Sequence, residues 1–289
     1  MLRGNYNFIK RKAYFEIKSS SDDPFREIQE KYRAIYVIVA PPRSSSTAFA
    51  RVFWKQPSVR YYSHEPFEVT YFMRADLRQV VGKLKNPIDL WSDQKYAQAN
   101  DLVIKEMPYQ VGGHFDMLVS LATFPIVFLI RDPRLNIFSR IVKKREANQN
   151  RFFPLIESGW ELLASQIKQC KEQGIPYMIV DSTDFRNHPA VIFEQVFERL
   201  YLPFSIEMLS WQPRKDIDLD NLGGDHYHLY RKVLESTGIY PATEPIPAIE
   251  AFPITGGFRD HVRACLRIYD ALRDDSARLQ VTREIRNEN

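Results

Sequence analysis

Residues Ile35-Tyr36-Val37-Ile38-Val39-Ala40 make a short run that is apolar on both alternating faces. A strand with one wet face alternates apolar and polar residues. A strand apolar on both faces belongs inside a parallel sheet, covered above and below. Pro41-Pro42 ends the run, and residues 47–55 then place Phe49, Val52 and Phe53 at i, i+3 and i+4, the stripe of a helix. The unit is a buried strand, a short polar loop and a helix.

The same grammar recurs along the chain. Residues 59–62, 102–105, 126–130 and 177–180 read as further strands. Leu135, Phe138, Ile141 and Val142 share one helical face after the strand at 126–130. Ile156, Trp160, Leu163, Ile167 and Cys170 mark a long amphipathic helix that Gly174 closes, and 191–201 and 262–272 are two more helical stripes. Strands alternating with helices predict parallel pairing and a three-layer α/β/α arrangement around a central, mainly parallel sheet. Residues 1–34, broken by Ser19-Ser20-Ser21-Asp22-Asp23-Pro24, are expected to form an N-terminal arm packed on the main domain. Residues 35–289 are expected to form a single domain. Within it, a variable, lid-like region around 205–256 is rich in Pro, Gly and Asp, with helical character only around 226–236.

Composition narrows the function classes. Of 289 residues 44% are hydrophobic and 13% aromatic, which excludes a disordered or fibrous chain. A net charge of +4 with acids interspersed gives no continuous basic stripe for nucleic acid, yet admits an anionic ligand. Two distant cysteines, Cys170 and Cys265, cannot build a disulfide framework or a thiolate zinc cluster. There is no secretory leader pattern at the start and no apolar run of membrane-spanning length, so a cytoplasmic setting is the expectation.

Two loops carry the chemistry of anion binding. Pro42-Arg43-Ser44-Ser45-Ser46-Thr47 joins a buried strand to a helix, where unsatisfied N–H groups and the helix dipole favour negative charge. Small hydroxyl residues let a phosphate approach closely, and Arg43 offers a planar fork. The plainer reading is an ordinary N-cap. The loop is not a Walker A sequence: it has no glycine and no Lys before the Ser/Thr. Arg131-Asp132-Pro133-Arg134, with Ser139-Arg140 and Lys143-Lys144-Arg145, follows another buried strand, and strand ends are where open α/β sheets take ligands. A solvated helix face accounts for Lys144 and Arg145. Arg131 occupies the strand end itself, the same edge position as Arg43, and two such loops on neighbouring strands suit a ligand with two separated phosphates.

PPRSSSTAF resembles the 5′-phosphosulfate-binding loop of PAPS-dependent sulfotransferases (PAPS is 3′-phosphoadenosine 5′-phosphosulfate). IVFLIRDPRLNIFSR resembles the 3′-phosphate-binding motif of the same family, with Ser139 eight residues after Arg131. The pairing, in this order and about 90 residues apart, is more specific than either half, and the resemblance covers roughly residues 35–200. It implies a P-loop-type fold, PAPS as sulfuryl donor held by Arg43, Ser44, Ser45, Ser46, Thr47, Arg131 and Ser139, and no metal. Ser45 departs from the family pattern, which usually has Gly there. The sequence looks closest to the branch with HEPF or HEPY after the first helix.

That branch directs attention to Tyr62-Ser63-His64-Glu65-Pro66-Phe67. Sulfuryl transfer needs a base for the acceptor hydroxyl, and a carboxylate or an imidazole serves. The family favours Glu65; the unperturbed imidazole pKa near 6.5 favours His64. In other branches the base is a His in a KTH motif. Here the matching segment is Ile104-Lys105-Glu106-Met107, with Met in that place, while Lys105 matches the lysine that steadies the transferring group. An HE dipeptide alone is ordinary surface chemistry, and a strand-end lysine alone is ordinary snorkelling. His226-Tyr227-His228 has no further ligand pattern and reads as a solvated helix start; His114, His188 and His261 carry no constellation. The resulting expectation is sulfuryl transfer from PAPS to a hydroxyl of a small-molecule or carbohydrate acceptor. The competing readings are a P-loop kinase or nucleotide phosphatase with a degenerate loop, where Asp132 or Asp181 would hold Mg²⁺, and a non-catalytic anion-binding module.

Overall fold

A computed structural model describes residues 25–91, 98–146, 152–219 and 227–282, apart from the side chains of Tyr227, His228 and Leu229. Most of the expected N-terminal arm and His226 lie outside the described residues.

Six strands form one sheet: β1 (Ala34–Val39), β2 (Val59–His64), β3 (Ile88–Asp89), β4 (Asp101–Glu106), β5 (Ile126–Ile130) and β6 (Tyr177–Asp181). Their order across the sheet is β3-β2-β4-β1-β5-β6. Every pairing is parallel except that of the two-residue edge strand β3 with β2. The expected mixed sheet is present, and it is mainly parallel.

Alternation along the strands divides the core in two. Ile35, Val37, Val39, Leu102, Ile104, Ile126, Phe128 and Ile130 face one layer, which includes Leu84, Leu118, Trp160, Ile167, Val262 and Leu272. Tyr36, Ile38, Val103, Val127, Leu129 and Val180 face the other, filled by Phe49, Phe53, Phe185, Phe193 and Phe197. The second face is aromatic: Phe49 lies 4.7 Å from Phe193 and Phe53 lies 5.0 Å from Phe197, centroid to centroid. Both faces are therefore dry, which is why β1 and β5 carry no polar alternation.

Helices run at Ser46–Phe53, Pro133–Glu146, Trp160–Gln173, Pro189–Arg199, Tyr227–Leu234 and Phe258–Arg273, close to the expected stripes. One stripe needs correction. Ile156 lies in a separate short turn, Leu155–Ser158, and is half exposed. Gly159 at φ 79° breaks the chain before Trp160 starts the helix. At the N-terminal side, Phe25, Ile28 and Tyr32 are buried in the first core layer. Among the described residues no helix is long and apolar enough to cross a membrane.

Strand β1 is the point at which the topology divides, with β4 and β2 on one side and β5 and β6 on the other. Loops leaving the carboxyl ends of β1 and β5 open into the crevice that such a division creates.

Candidate functional site

The first anion loop is built on two left-handed residues. Arg43 sits at φ 63° and Ser45 at φ 58°. This backbone is ordinary for glycine and costs other residues about 1–2 kcal/mol each. Ser45 adopts it all the same and stands at the N-cap of Ser46–Phe53, yet its side chain makes no capping hydrogen bond. The plain N-cap reading therefore does not describe this serine. Ser44 is buried, and its Oγ has no hydrogen-bond partner among the described residues. Its carbonyl accepts from Ser182 Oγ at 2.6 Å. Ser46 is buried at the helix start and Thr47 is half-buried beside it.

The second loop touches the first. Arg43 Nε donates to Ser139 Oγ at 3.2 Å, and Arg131 Nη1 donates to the Arg43 carbonyl at 2.8 Å. The β1–β5 register pairs Val39 with Phe128, so Arg43 and Arg131 follow four and three residues beyond a paired position. Arg131 is buried, and burial lowers its pKa with Arg186 and Arg43 adding to the fall against Glu244. Three other basic residues of the segment are paired locally. Arg134 folds back onto Asp132, with its own N–H and two guanidinium nitrogens bonded to that carboxylate at 2.6–3.0 Å. Arg140 pairs with Glu157 and Lys143 with Glu146. Of the basic residues in 131–145, Arg131 is the one that reaches the first loop.

The third cluster lies two strands away. The registers His64 with Lys105 and Val39 with Glu106 put the ends of β2, β4 and β1 side by side. Glu65 follows β2 at φ 49°, pinned by its N–H to the Lys105 carbonyl at 2.7 Å. Its carboxylate is ion-paired to Lys105 Nζ through Oε1 and accepts from Gln110 Nε2 at 2.9 Å through Oε2. His64 Nε2 lies 3.3 Å from Glu65 Oε1, while Nδ1 hydrogen bonds with Tyr62 Oη at 2.7 Å. Tyr230, on the helix Tyr227–Leu234, packs edge-on to the His64 ring at 4.9 Å. His64, Glu65 and Lys105 are each almost wholly buried.

Burial and charge set the protonation of this cluster. For Glu65 burial pushes the pKa up, but Lys105, His64 and the donors on its oxygens outweigh it and hold the carboxyl below its ordinary range. For His64 burial dominates, with Lys105 in support, and its pKa falls to about 3. The unperturbed value near 6.5 that favoured His64 therefore does not hold in the fold, and the shifts favour a neutral imidazole at His64 and a carboxylate at Glu65. Neighbouring Glu106 is pushed well above its ordinary value, first by burial and then by the charge of Glu65. Its two oxygens accept the N–H groups of Phe67 and Met107 at 2.8 Å each.

Glu106, Gln110, Tyr62 and Tyr230 are partners that the sequence did not single out. Glu106 lies beside Lys105 in Ile104-Lys105-Glu106-Met107 and Tyr62 two residues before His64, while Gln110 and Tyr230 have no local signal. Asp132 and Asp181, the expected Mg²⁺ ligands of the kinase-like reading, are both engaged by protein donors. Asp132 holds Arg134, and Asp181 accepts from Tyr269 Oη at 2.6 Å and the Thr183 N–H at 2.8 Å. The side chain of His228 is outside the described residues, as is His226. A cavity of about 380 Å³ opens beside Arg33, Tyr36, Phe124 and Tyr201 at the amino ends of the strands, the opposite end from the loops above; none of those loops lines it.

No family model matches the chain, and no curated protein matches it. Two solved structures are similar in fold. One is the sulfotransferase domain from the curacin biosynthetic pathway, 16% identical over 84% of this chain and 98% of that one, with a TM-score of 0.48. The other is mouse sulfotransferase SULT7A1 complexed with PAP, 12% identical over 88% of this chain and 93% of that one, with a TM-score of 0.52. At this identity the likeness speaks to architecture. The chain has the α/β/α, P-loop-type fold of a sulfotransferase.

Proposed function

We propose that the chain transfers the sulfuryl group of PAPS to a hydroxyl of a small-molecule or carbohydrate acceptor, releasing adenosine 3′,5′-bisphosphate. The observation that carries this reading is the direct contact of the two anion loops, Arg43 on Ser139 and Arg131 on Arg43. The unpartnered, buried Ser44 Oγ fits a loop that receives an anion. The fold neighbour SULT7A1 is complexed with PAP, which supports the same donor here. In this reading Arg43 and residues 44–47 hold the 5′ side of the nucleotide, and Arg131 with Ser139 holds the 3′-phosphate.

The bound donor supplies an electrophilic sulfur with a phosphate leaving group. The chain supplies the rest. Glu65, already ionised, is the base that takes the acceptor proton, and neutral His64, hydrogen-bonded through Nδ1 to Tyr62 Oη, orients it. Protonation of Glu65 removes the counter-charge of Lys105. The buried ammonium then faces the negative charge that develops as sulfur changes partners, where a preorganised cation has its largest effect. Gln110 and the left-handed turn at Glu65 keep the carboxylate in place.

The test pairs turnover with binding. Purified protein incubated with ³⁵S-labelled PAPS and a panel of alcohols, phenols and sugars should form labelled product. Calorimetric titration should show adenosine 3′,5′-bisphosphate binding far more tightly than AMP. Equal affinities for the two nucleotides, with no transfer to any acceptor, would overturn the proposal.

A further inference from the structure

Arg131 has a second anion within reach. Its Nη2 lies 3.3 Å from Glu244 Oε1, and the same carboxylate is gripped by Arg186 Nη1 at 3.0 Å and 2.9 Å. Arg186 is on the helix Ser182–Asn187 that follows β6, the strand beside β5. Arg43, Arg131 and Arg186 thus come from three successive strand ends, β1, β5 and β6, and converge on one place. The two guanidinium side chains that hold Glu244 are 8% and 12% exposed, whereas Glu244 is 46% exposed. The cations are built into the fold and the carboxylate is laid on from outside.

Glu244 comes from an irregular stretch, residues 239–248, between the helix Tyr227–Leu234 and the short turn Ile249–Ala251. That stretch has its own anchor, independent of the carboxylate. Arg186 Nε and Nη2 donate to the carbonyls of Tyr240 and Pro241 at 3.0 Å and 2.7 Å, and Asn187 Oδ1 accepts the Ala242 N–H at 2.8 Å. The Glu244 side chain can therefore leave while the backbone at 240–242 stays docked. A carboxylate brings one negative charge to this cluster. A phosphate monoester brings about 1.5–2 charges and three acceptor oxygens, a closer match to several converging arginines.

We propose that Arg186 is a second guanidinium of the 3′-phosphate site and that Glu244 is an internal anion which the phosphate displaces from Arg131 and Arg186. This rests on the assignment of Arg131 to the 3′-phosphate made above. Glu244 acts as a gate on charge: a nucleotide with only a 5′ anion leaves it in place, and one with a 3′-phosphate expels it.

Calorimetric titration of the full chain with adenosine 3′,5′-bisphosphate and with AMP tests this. Glu244→Gln should tighten the bisphosphate about five-fold, the value of a half-exposed ion pair, and leave AMP unchanged. Arg186→Gln should loosen the bisphosphate by more than about ten-fold, again with AMP unchanged. Unchanged or weaker bisphosphate binding by Glu244→Gln, in a background where the parent still prefers the bisphosphate, overturns the displacement. Parent-like affinity in Arg186→Gln overturns the role of Arg186. Where Arg186→Gln does not fold, the exposed Glu244 variant decides. A parent that does not distinguish the two nucleotides refutes the underlying 3′-site assignment instead, a result distinct from either.

Discussion

Tyr62 Oη and His64 Nδ1 are 2.7 Å apart inside the protein, on the last turns of pleat before the strained residue Glu65. That contact commits one imidazole nitrogen to a buried phenol. Burial, with the Lys105 charge, outweighs the Glu65 carboxylate and keeps the ring neutral, with a pKa of about 3. In the unfolded chain the same ring titrates near 6.5. Between those values the unfolded chain binds more protons, so this group's contribution to stability is complete above about pH 6.5 and is lost as pH falls toward 3. Thermal unfolding from pH 7 to 4 should show a smaller acid-side loss for His64→Asn than for the parent. A parallel pair of curves would mean His64 is charged in the fold.

Turnover should follow the same protonation pattern. With Glu65 held ionised and His64 neutral, kcat should show no ascending limb between pH 6 and 7 from this pair. A limb there that disappears in His64→Asn would return the role of base to the histidine.

Glu65→Gln should lower kcat by about 10²–10⁴-fold while leaving adenosine 3′,5′-bisphosphate affinity near the parent value. It also strands the buried Lys105 ammonium, an expected loss of about 3–5 kcal/mol in stability. Adding Lys105→Met should recover most of that stability and none of the activity. Chemical denaturation of the two single variants and the double one measures the coupling directly. Additive losses would show that the Glu65–Lys105 pair is not the unit described here.

Arg131→Gln should raise KM for PAPS by at least about ten-fold with kcat nearly kept, since its charge-assisted contact is made equally in ground and transition states. It also removes the donor on the Arg43 carbonyl. A variant with parental KM would reduce Arg131 to a brace for that carbonyl.

Arg51→Met should be among the most destabilising single changes on the second face, at about 3 kcal/mol or more. Its guanidinium is stacked 4.8 Å from the Trp211 ring and donates to the carbonyls of Val233, Leu234 and Gln212. Those carbonyls include the last of the helix that carries Tyr230 over His64. Hydrogen exchange should accelerate in 227–236 before it does in β1 or β5. Uniform acceleration would mean that the clamp is not local.

Legibility in the sequence followed the range of the interactions. β1, β5 and β6 are visible because burial on both faces writes an unbroken apolar run, while β3 is two residues long and writes nothing. The anion loops are contiguous, so Arg43 and Arg131 stand out within a few residues of a strand end. Gln110 reaches Glu65 from 45 residues away, and Glu244 meets Arg186 across 58; neither has a local pattern to betray it. The depressed His64 pKa is equally hidden, because it depends on burial and on Lys105, 41 residues away, which together outweigh its sequence neighbour Glu65. Ser45 stands where the family pattern usually has Gly, and its left-handed backbone at φ 58° shows why glycine is the usual residue there.

The spacing of the parallel strands imposes a length scale. From Glu65 after β2, through Lys105 on β4 and Arg43 after β1, to Arg131 after β5 there are three inter-strand steps. At about 4.8 Å each they make a ruler of about 14 Å. A sulfate ion or a pyrophosphate is too short to read both marks. In the function proposed above, a ligand that touches the carboxylate at one end and the arginine at the other must be elongated and lie across the strands, so the sheet spacing would select by size before any side chain selects by charge.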